Sequence, residues 1–216
     1  MRRAQTIVRH IGPVASPFVM GWSVQRSEVS WVTSTRRRAA ASTALLVTDL
    51  EGFTPLLVRL GDLEARSILR AHDRVLRECL RAHCGREVAH TGDGVIAAFD
   101  AVPDALACAA HMQQRFVEPT GPHAVLLRLR IGVHVGEPLA QEGRLFGLCV
   151  NTAVRICKTA RPGSIWVSEL VRECAARDGG SFQDRGWFEL KGLEAPVQLH
   201  ELICERASVS PRLALR

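Results

Sequence analysis

The 216 residues hold 47 % apolar and 23 % charged side chains, an ordinary globular mixture long enough to bury a core without disulfides or structural metal. The net charge of +6 comes almost wholly from arginine, with Lys158 and Lys191 the only lysines; it excludes a strongly acidic protein but selects no one class of anionic partner. No apolar run is long enough to span a membrane: the longest near the N-terminus, residues 11–22, is broken by Pro13 and Pro17.

Residues 1–41 carry one acidic side chain, Glu28, among many Arg, Ser and Thr, and show no sustained period. They read as a flexible leader, or as an upstream start included in the reading frame, and the run Arg36-Arg37-Arg38 as a solvated linker. From Ala44 the pattern becomes regular. Residues 44–48 form a short apolar run of buried-strand type. Asp62 can cap a helix to about Cys84, with Ala65, Ile68, Leu69, Val75, Leu76, Cys79 and Leu80 at helical spacing. Residues 87–91 and 95–99 are short strands around Gly92-Asp93-Gly94, a hairpin signal. Asp100 and Pro103 open a second helix to about Val117.

A long strand is predicted over 125–135, a helix over 145–159 stopped by Pro162-Gly163, and a strand over 164–167. Ser168 can cap one more helix, and 182–191 and 197–202 are late strands. Residues 205–216 read as a frayed tail. The order β-α-β-β-α-β, with strand and helix additions at the C-terminal end, predicts an α+β fold with a ferredoxin-like core, its sheet covered by helices on one face. The compact domain is expected over 42–204.

Seven cysteines, at 79, 84, 108, 149, 157, 174 and 204, include no CxxC pair. Reduced, mostly buried thiols in a cytoplasmic protein account for them.

Two carboxylates fall where chemistry is plausible. Asp49 ends the first strand and Asp93 sits at the hairpin tip. If that strand lies beside the hairpin, both reach one point, and two hard oxygen ligands near a phosphate site suit Mg²⁺. Each alone has a blander reading, a turn former for Asp93 and a helix cap for Asp49. The segment Glu51-Gly52-Phe53-Thr54 follows, and a glycine between strand and helix lets backbone N–H groups face a phosphate. Asn151 and Arg155 are four apart on a predicted helix and share a face. An amide and a guanidinium there could hold a ribose oxygen and a phosphate of growing charge. Lys191 ends a strand at a turn, where a phosphate contact competes with an ordinary surface role.

Taken together, five segments resemble the class III nucleotide cyclase catalytic domain, in the family's order and over about residues 42–204. Residues 48–54 (TDLEGFT) resemble its first metal motif and 91–99 (TGDGVIAAF) its second. Residues 129–137 (LRIGVHVGE) resemble the long-strand signature, 146–155 (FGLCVNTAVR) the transition-state helix, and 186–193 with Pro196-Val197 the closing Leu-Lys-Gly segment. The resemblance implies conversion of ATP, or GTP, to the 3′,5′-cyclic monophosphate and pyrophosphate. It implies two Mg²⁺ or Mn²⁺ ions on Asp49, Asp93 and the Leu50 carbonyl, with Gly52, Phe53 and Thr54 along the triphosphate. It implies Asn151 on the ribose, Arg155 on the transition state and Lys191 on the phosphates. It also implies a homodimer, one chain supplying the aspartates and the other the Asn and Arg.

Two positions depart from the family's pattern. Ala89 stands where an adenylate cyclase usually has Lys, and Arg144 where it usually has Asp or Thr. Those positions read the purine edge. Alanine offers no hydrogen bond, and arginine only donates, which opposes adenine's amino group. A different alignment of the short loop before Gly147 would bring Glu142 into play. A degenerate cyclase domain that binds nucleotide or only dimerises is therefore the rival reading. A nucleic-acid module would need exposed strand aromatics; the chain has no tyrosine and seven phenylalanines, so neither nucleic acid nor membrane is an expected partner.

Overall fold

The computed structural model describes residues 42–117, 126–176 and 180–204. The readings for residues 1–41 and 205–216 lie outside these.

Strand β1 (Thr43–Leu50) begins the fold, with Ala44 to Thr48 all buried. It is followed by α1 (Phe53–Leu60) and α2 (Asp62–Ala82). Helix α2 buries Ala65, Ile68, His72, Leu76, Cys79 and Leu80 on one stripe. Asp62 is its first helical residue rather than its cap; Gly61 holds the cap position. The hairpin β2 (Arg86–His90) and β3 (Val95–Phe99) comes next, then α3 (Val102–Arg115) with Pro103 in its first turn.

Strand β4 covers Leu129–Gly136, shorter at its start than the predicted 125–135, where 125 lies outside the described residues. A small hairpin, β5 (Leu139–Gln141) and β6 (Arg144–Phe146), was not foreseen. It takes residues 145 and 146 from the predicted helix, so α4 runs over Leu148–Thr159. Its turn, Glu142-Gly143, has positive φ at both residues (51° and 76°), as a two-residue hairpin loop requires. Strand β7 (Ile165–Ser168), α5 (Glu169–Ala175), β8 (Phe182–Phe188) and β9 (Val197–Leu202) complete the chain.

Seven strands form one sheet in the order β2-β3-β1-β4-β7-β9-β8, and β5 pairs only with β6. The four strands β4-β1-β3-β2 pair antiparallel in the ferredoxin-like order. Beyond them β4 and β7 are parallel.

The expectation of helices on one face needs correction. Leu46, Leu129, Ile131 and Val133 pack into the core that includes Ile68, Leu76, Ala109 and Val171, from α2, α3 and α5. Leu45, Val47 and Ala98 point the other way and pack on Val150, Ala153 and Cys157 of α4. Strand β4 makes this possible by alternation. Its odd positions are apolar; its even positions include Gly132 and Gly136. A Cβ on Gly132 would lie 2.3 Å from the Cys157 nitrogen, and one on Gly136 2.6 Å from Cys149 Cβ. Helix α4 therefore rests on bare backbone.

All seven cysteines are free, as expected, but only Cys79, Cys108 and Cys157 are buried. Burial pushes the Cys108 and Cys157 thiols up to about 12, which leaves them inert. Among the described residues, no helix is long and apolar enough to cross a membrane.

Candidate active site

The end of β1 and the tip of the β2–β3 hairpin are locked together. Thr48 Oγ1 accepts the Val95 N–H at 3.0 Å. The Thr91 N–H donates to Gly94 O at 2.9 Å and closes the tip. Gly94 passes so close that a Cβ there would lie 1.9 Å from Thr48 O. This contact brings Asp49 and Asp93 together. Burial, then the Asp93 charge, pushes the Asp49 carboxyl above its ordinary range, while Arg130 and Lys158 pull it down.

Arg130 was not singled out from the sequence. Its Nε lies 3.2 Å from Asp49 Oδ2, and that Nε makes no well-formed hydrogen bond. The signal lay in register: β1 and β4 pair antiparallel with Asp49 opposite Arg130, a relationship that no local pattern reveals.

A divalent cation fits these groups. It would relieve the repulsion between the two carboxylates, in competition with the Arg130 guanidinium at Asp49. Among the described residues no cluster of three or more His, Cys, Asp or Glu forms a metal centre. Further ligands would come from a main-chain oxygen such as that of Leu50 and from a substrate.

Beside β1, Gly52 adopts φ 66° and caps α1 without a side-chain hydrogen bond. The first turn of α1 therefore leaves its N–H groups free of side-chain caps, at Phe53 and Thr54, which suits a phosphate. Thr54 is exposed and Phe53 half-buried.

A second group gathers on α4 and the turn after β8. Arg155 Nε donates to the Lys191 carbonyl at 3.1 Å. The Leu193 N–H to Leu190 O bond closes that turn, with Gly192 at φ 85°. Asn151 is exposed one turn before Arg155. Among the described residues no carboxylate pairs with Arg155 or Lys191, and no hydrogen bond or ion pair joins this group to Asp49 or Asp93. An amide and two unneutralised cations can receive an anion; the carboxylate pair cannot.

Ala89 and Arg144 lie on neighbouring strands, β2 and β6. Ala89 is paired with Ile96 just past a register shift in β2. Arg144 is exposed opposite Gln141, and Glu142 sits in the turn beside it.

A sequence model of the adenylate and guanylate cyclase catalytic domain matches residues 37–203. The chain belongs to that family. This cyclase domain is 34 % identical over 170 residues to "Putative adenylate cyclase 3" of Rhizobium meliloti (strain 1021), covering 77 % of this chain and 28 % of that protein. The chain thus spans about a quarter of that relative's length. Among solved structures, the adenylate/guanylate cyclase/hydrolase from Silicibacter pomeroyi is 27 % identical with a TM-score of 0.67, covering 76 % of this chain and 97 % of that one. The guanylate cyclase domain of RhGC from Catenaria anguillulae, solved in complex with GTP, shares the fold at 18 % identity and a TM-score of 0.69, over 77 % of this chain and 98 % of that one.

Proposed function

We propose that this cyclase domain converts a purine nucleoside triphosphate, ATP before GTP, to its 3′,5′-cyclic monophosphate and pyrophosphate at the interface of a homodimer. One observation supports the reading: within one chain no hydrogen bond or ion pair joins Asp49 and Asp93 to Asn151, Arg155 and Lys191, so we read the two groups as a carboxylate half-site and a cationic half-site. Two copies facing each other would complete two sites. Leu139, Phe146 and Leu148, exposed beside the start of α4, offer apolar surface for such a partner.

In the reaction the ribose 3′-oxygen attacks the α-phosphorus, its proton departs, and pyrophosphate leaves. Asn151 would orient the ribose. Arg155, held by the Lys191 carbonyl, would meet the charge that grows on the α-phosphate. Lys191 would hold the leaving phosphates, and the first turn of α1 would cradle the triphosphate. Asp49 and Asp93, with the Leu50 carbonyl, would hold two Mg²⁺ or Mn²⁺ ions, which in this setting acidify a hydroxyl and steady a leaving group. The free thiols suit a cytoplasmic setting.

A second reading, a domain that binds nucleotide or dimerises without turnover, draws on Ala89 and Arg144, neither of which accepts a hydrogen bond from adenine. Purified protein with Mn²⁺ and either ATP or GTP separates the two: formation of cyclic nucleotide supports the enzyme, and binding without product supports the alternative.

A further inference from the structure

Strand β2 is the sheet's outer strand beside β3, and it carries the tip that presents Asp93. Thr48 holds the tip from the β1 side. From the other side a chain of polar contacts runs in from α2. Asp73 Oδ1 lies 3.1 Å from Nδ1 of His72, whose side chain is wholly buried against Phe116. Asp73 Oδ2 lies 3.1 Å from His90 Nε2. His90 Nδ1 accepts the Gly92 N–H at 3.0 Å. Since Nδ1 accepts, the neutral ring carries its proton on Nε2, and that atom faces the Asp73 carboxylate. Asp73 thus bridges the two histidines, while Nε2 of His72 is buried without a hydrogen-bond partner. The anchored peptide is Thr91–Gly92, and Gly92, at φ 95°, is the residue immediately before Asp93.

We propose that Asp73 and His90 form a positioning pair that fixes the Thr91–Gly92 peptide, one residue ahead of Asp93, and so aims the Asp93 carboxylate for divalent-cation binding. This rests on Asp93 being a metal ligand. Neither residue touches the cation or the nucleotide; they act through Gly92. A second clamp between the same helix and strand lies one turn along, where Arg77 Nε donates to Glu87 Oε2 at 2.9 Å. That clamp docks β2 without touching the tip, which makes it the control.

The test is titration of the full chain with Mn²⁺ alone, reading free Mn²⁺ by electron paramagnetic resonance, beside thermal melting of each variant. His90→Ala and Asp73→Ala should each weaken Mn²⁺ binding about threefold to tenfold, the double variant no more than either single one, because one chain of contacts is cut. Arg77→Ala should leave Mn²⁺ affinity unchanged even where it lowers the melting temperature. His90→Asn, whose Oδ1 can take the Gly92 N–H as an Asx turn does, should fall between wild type and His90→Ala. Should His90→Ala fail to fold, His90→Asn and Asp73→Asn carry the same comparison against Arg77→Ala. Wild-type affinity in the His90 and Asp73 variants, with loss in Asp93→Ala, would overturn the positioning pair alone. Equal weakening by Arg77→Ala would reduce it to general strand docking and also overturn it. Unchanged affinity in Asp93→Ala would remove the metal reading and this inference with it.

Discussion

Asp49 and Arg130 stand directly opposite each other across the antiparallel pairing of β1 and β4, with Oδ2 and Nε 3.2 Å apart. The pair sits where Asp93 also acts on Asp49. Burial and a second carboxylate disfavour the charged form of Asp49, Arg130 and Lys158 oppose them, and a perturbed carboxylate of this kind is a candidate functional group. Asp49→Ala and Asp93→Ala should therefore each lower metal-dependent cyclase activity by at least about a hundredfold. Neither should lower the melting temperature by more than a few degrees. Parallel cyclase assays and thermal melts check this; a variant of either kind that turned over at near-normal rate would remove the assignment.

The packing of α4 depends on an absent side chain. Gly132→Ala would place a Cβ 2.3 Å from the Cys157 nitrogen, 2.7 Å from its Cα and 2.8 Å from Ala153 O, all backbone that cannot rotate aside. The expected loss of stability is at least the ~1–3 kcal/mol of an overpacked core. Because α4 carries Asn151 and Arg155, activity should fall more than Mn²⁺ binding. Chemical denaturation, cyclase assay and metal titration of this variant test the point.

One buried histidine, His72, and one half-buried, His134, make stability depend on pH. Burial holds His134 at about 4, hydrogen-bonded to Ser168 Oγ at 2.8 Å, and it also lowers His72. The unfolded chain binds a proton at each near pH 6.5, and the folded chain does so only at lower pH. Stability is therefore full above about pH 6.5 and falls as pH drops from there toward 4, by at most about 1.4 kcal/mol per pH unit for each group. His134→Gln should flatten part of that slope in unfolding curves measured between pH 7 and 5. An unchanged slope would mean that the fold does not hold His134 neutral.

What could be read from sequence was what local pattern encodes. The run 44–48 and the Gly92-Asp93-Gly94 tip marked the first strand and the hairpin and made Asp49 and Asp93 a candidate pair. The Asn151–Arg155 spacing placed both on one helix. What could not be read was non-local. The position of α4 on the far face depends on Gly132 meeting Cys157, twenty-five residues away in sequence. Arg130 and the Asp73–His90 contact depend on register and on which helix covers which strand. Short β5 and β6 were hidden because three-residue strands carry too little periodicity to stand out from a helix start.

Base choice should be weak and repairable. Ala89 and Arg144 lie on strands of two different sheets that touch, β2 and β6, and neither accepts a hydrogen bond from adenine's amino group. Discrimination between ATP and GTP should be poor and turnover low. Ala89→Lys with Arg144→Asp should raise the preference for ATP over GTP by roughly tenfold or more, the scale of one or two recovered contacts. The two changes should exceed the sum of the singles, since one purine edge reads both. Measured kcat/KM for each nucleotide decides it. A wild type that already prefers ATP strongly, with no response to the double change, would shift attention to Glu142.

The division of the site between two chains is tested most directly by mixing. Asp93→Ala lacks the carboxylate half-site and Arg155→Ala the cationic one, so each protein alone should be inactive. After random subunit exchange, half the dimers are mixed, and each of those holds one intact site of two. The mixture should recover about a quarter of wild-type specific activity. Mixtures that stay inactive while exchange of labelled subunits is demonstrated would contradict a site shared between two copies of this chain.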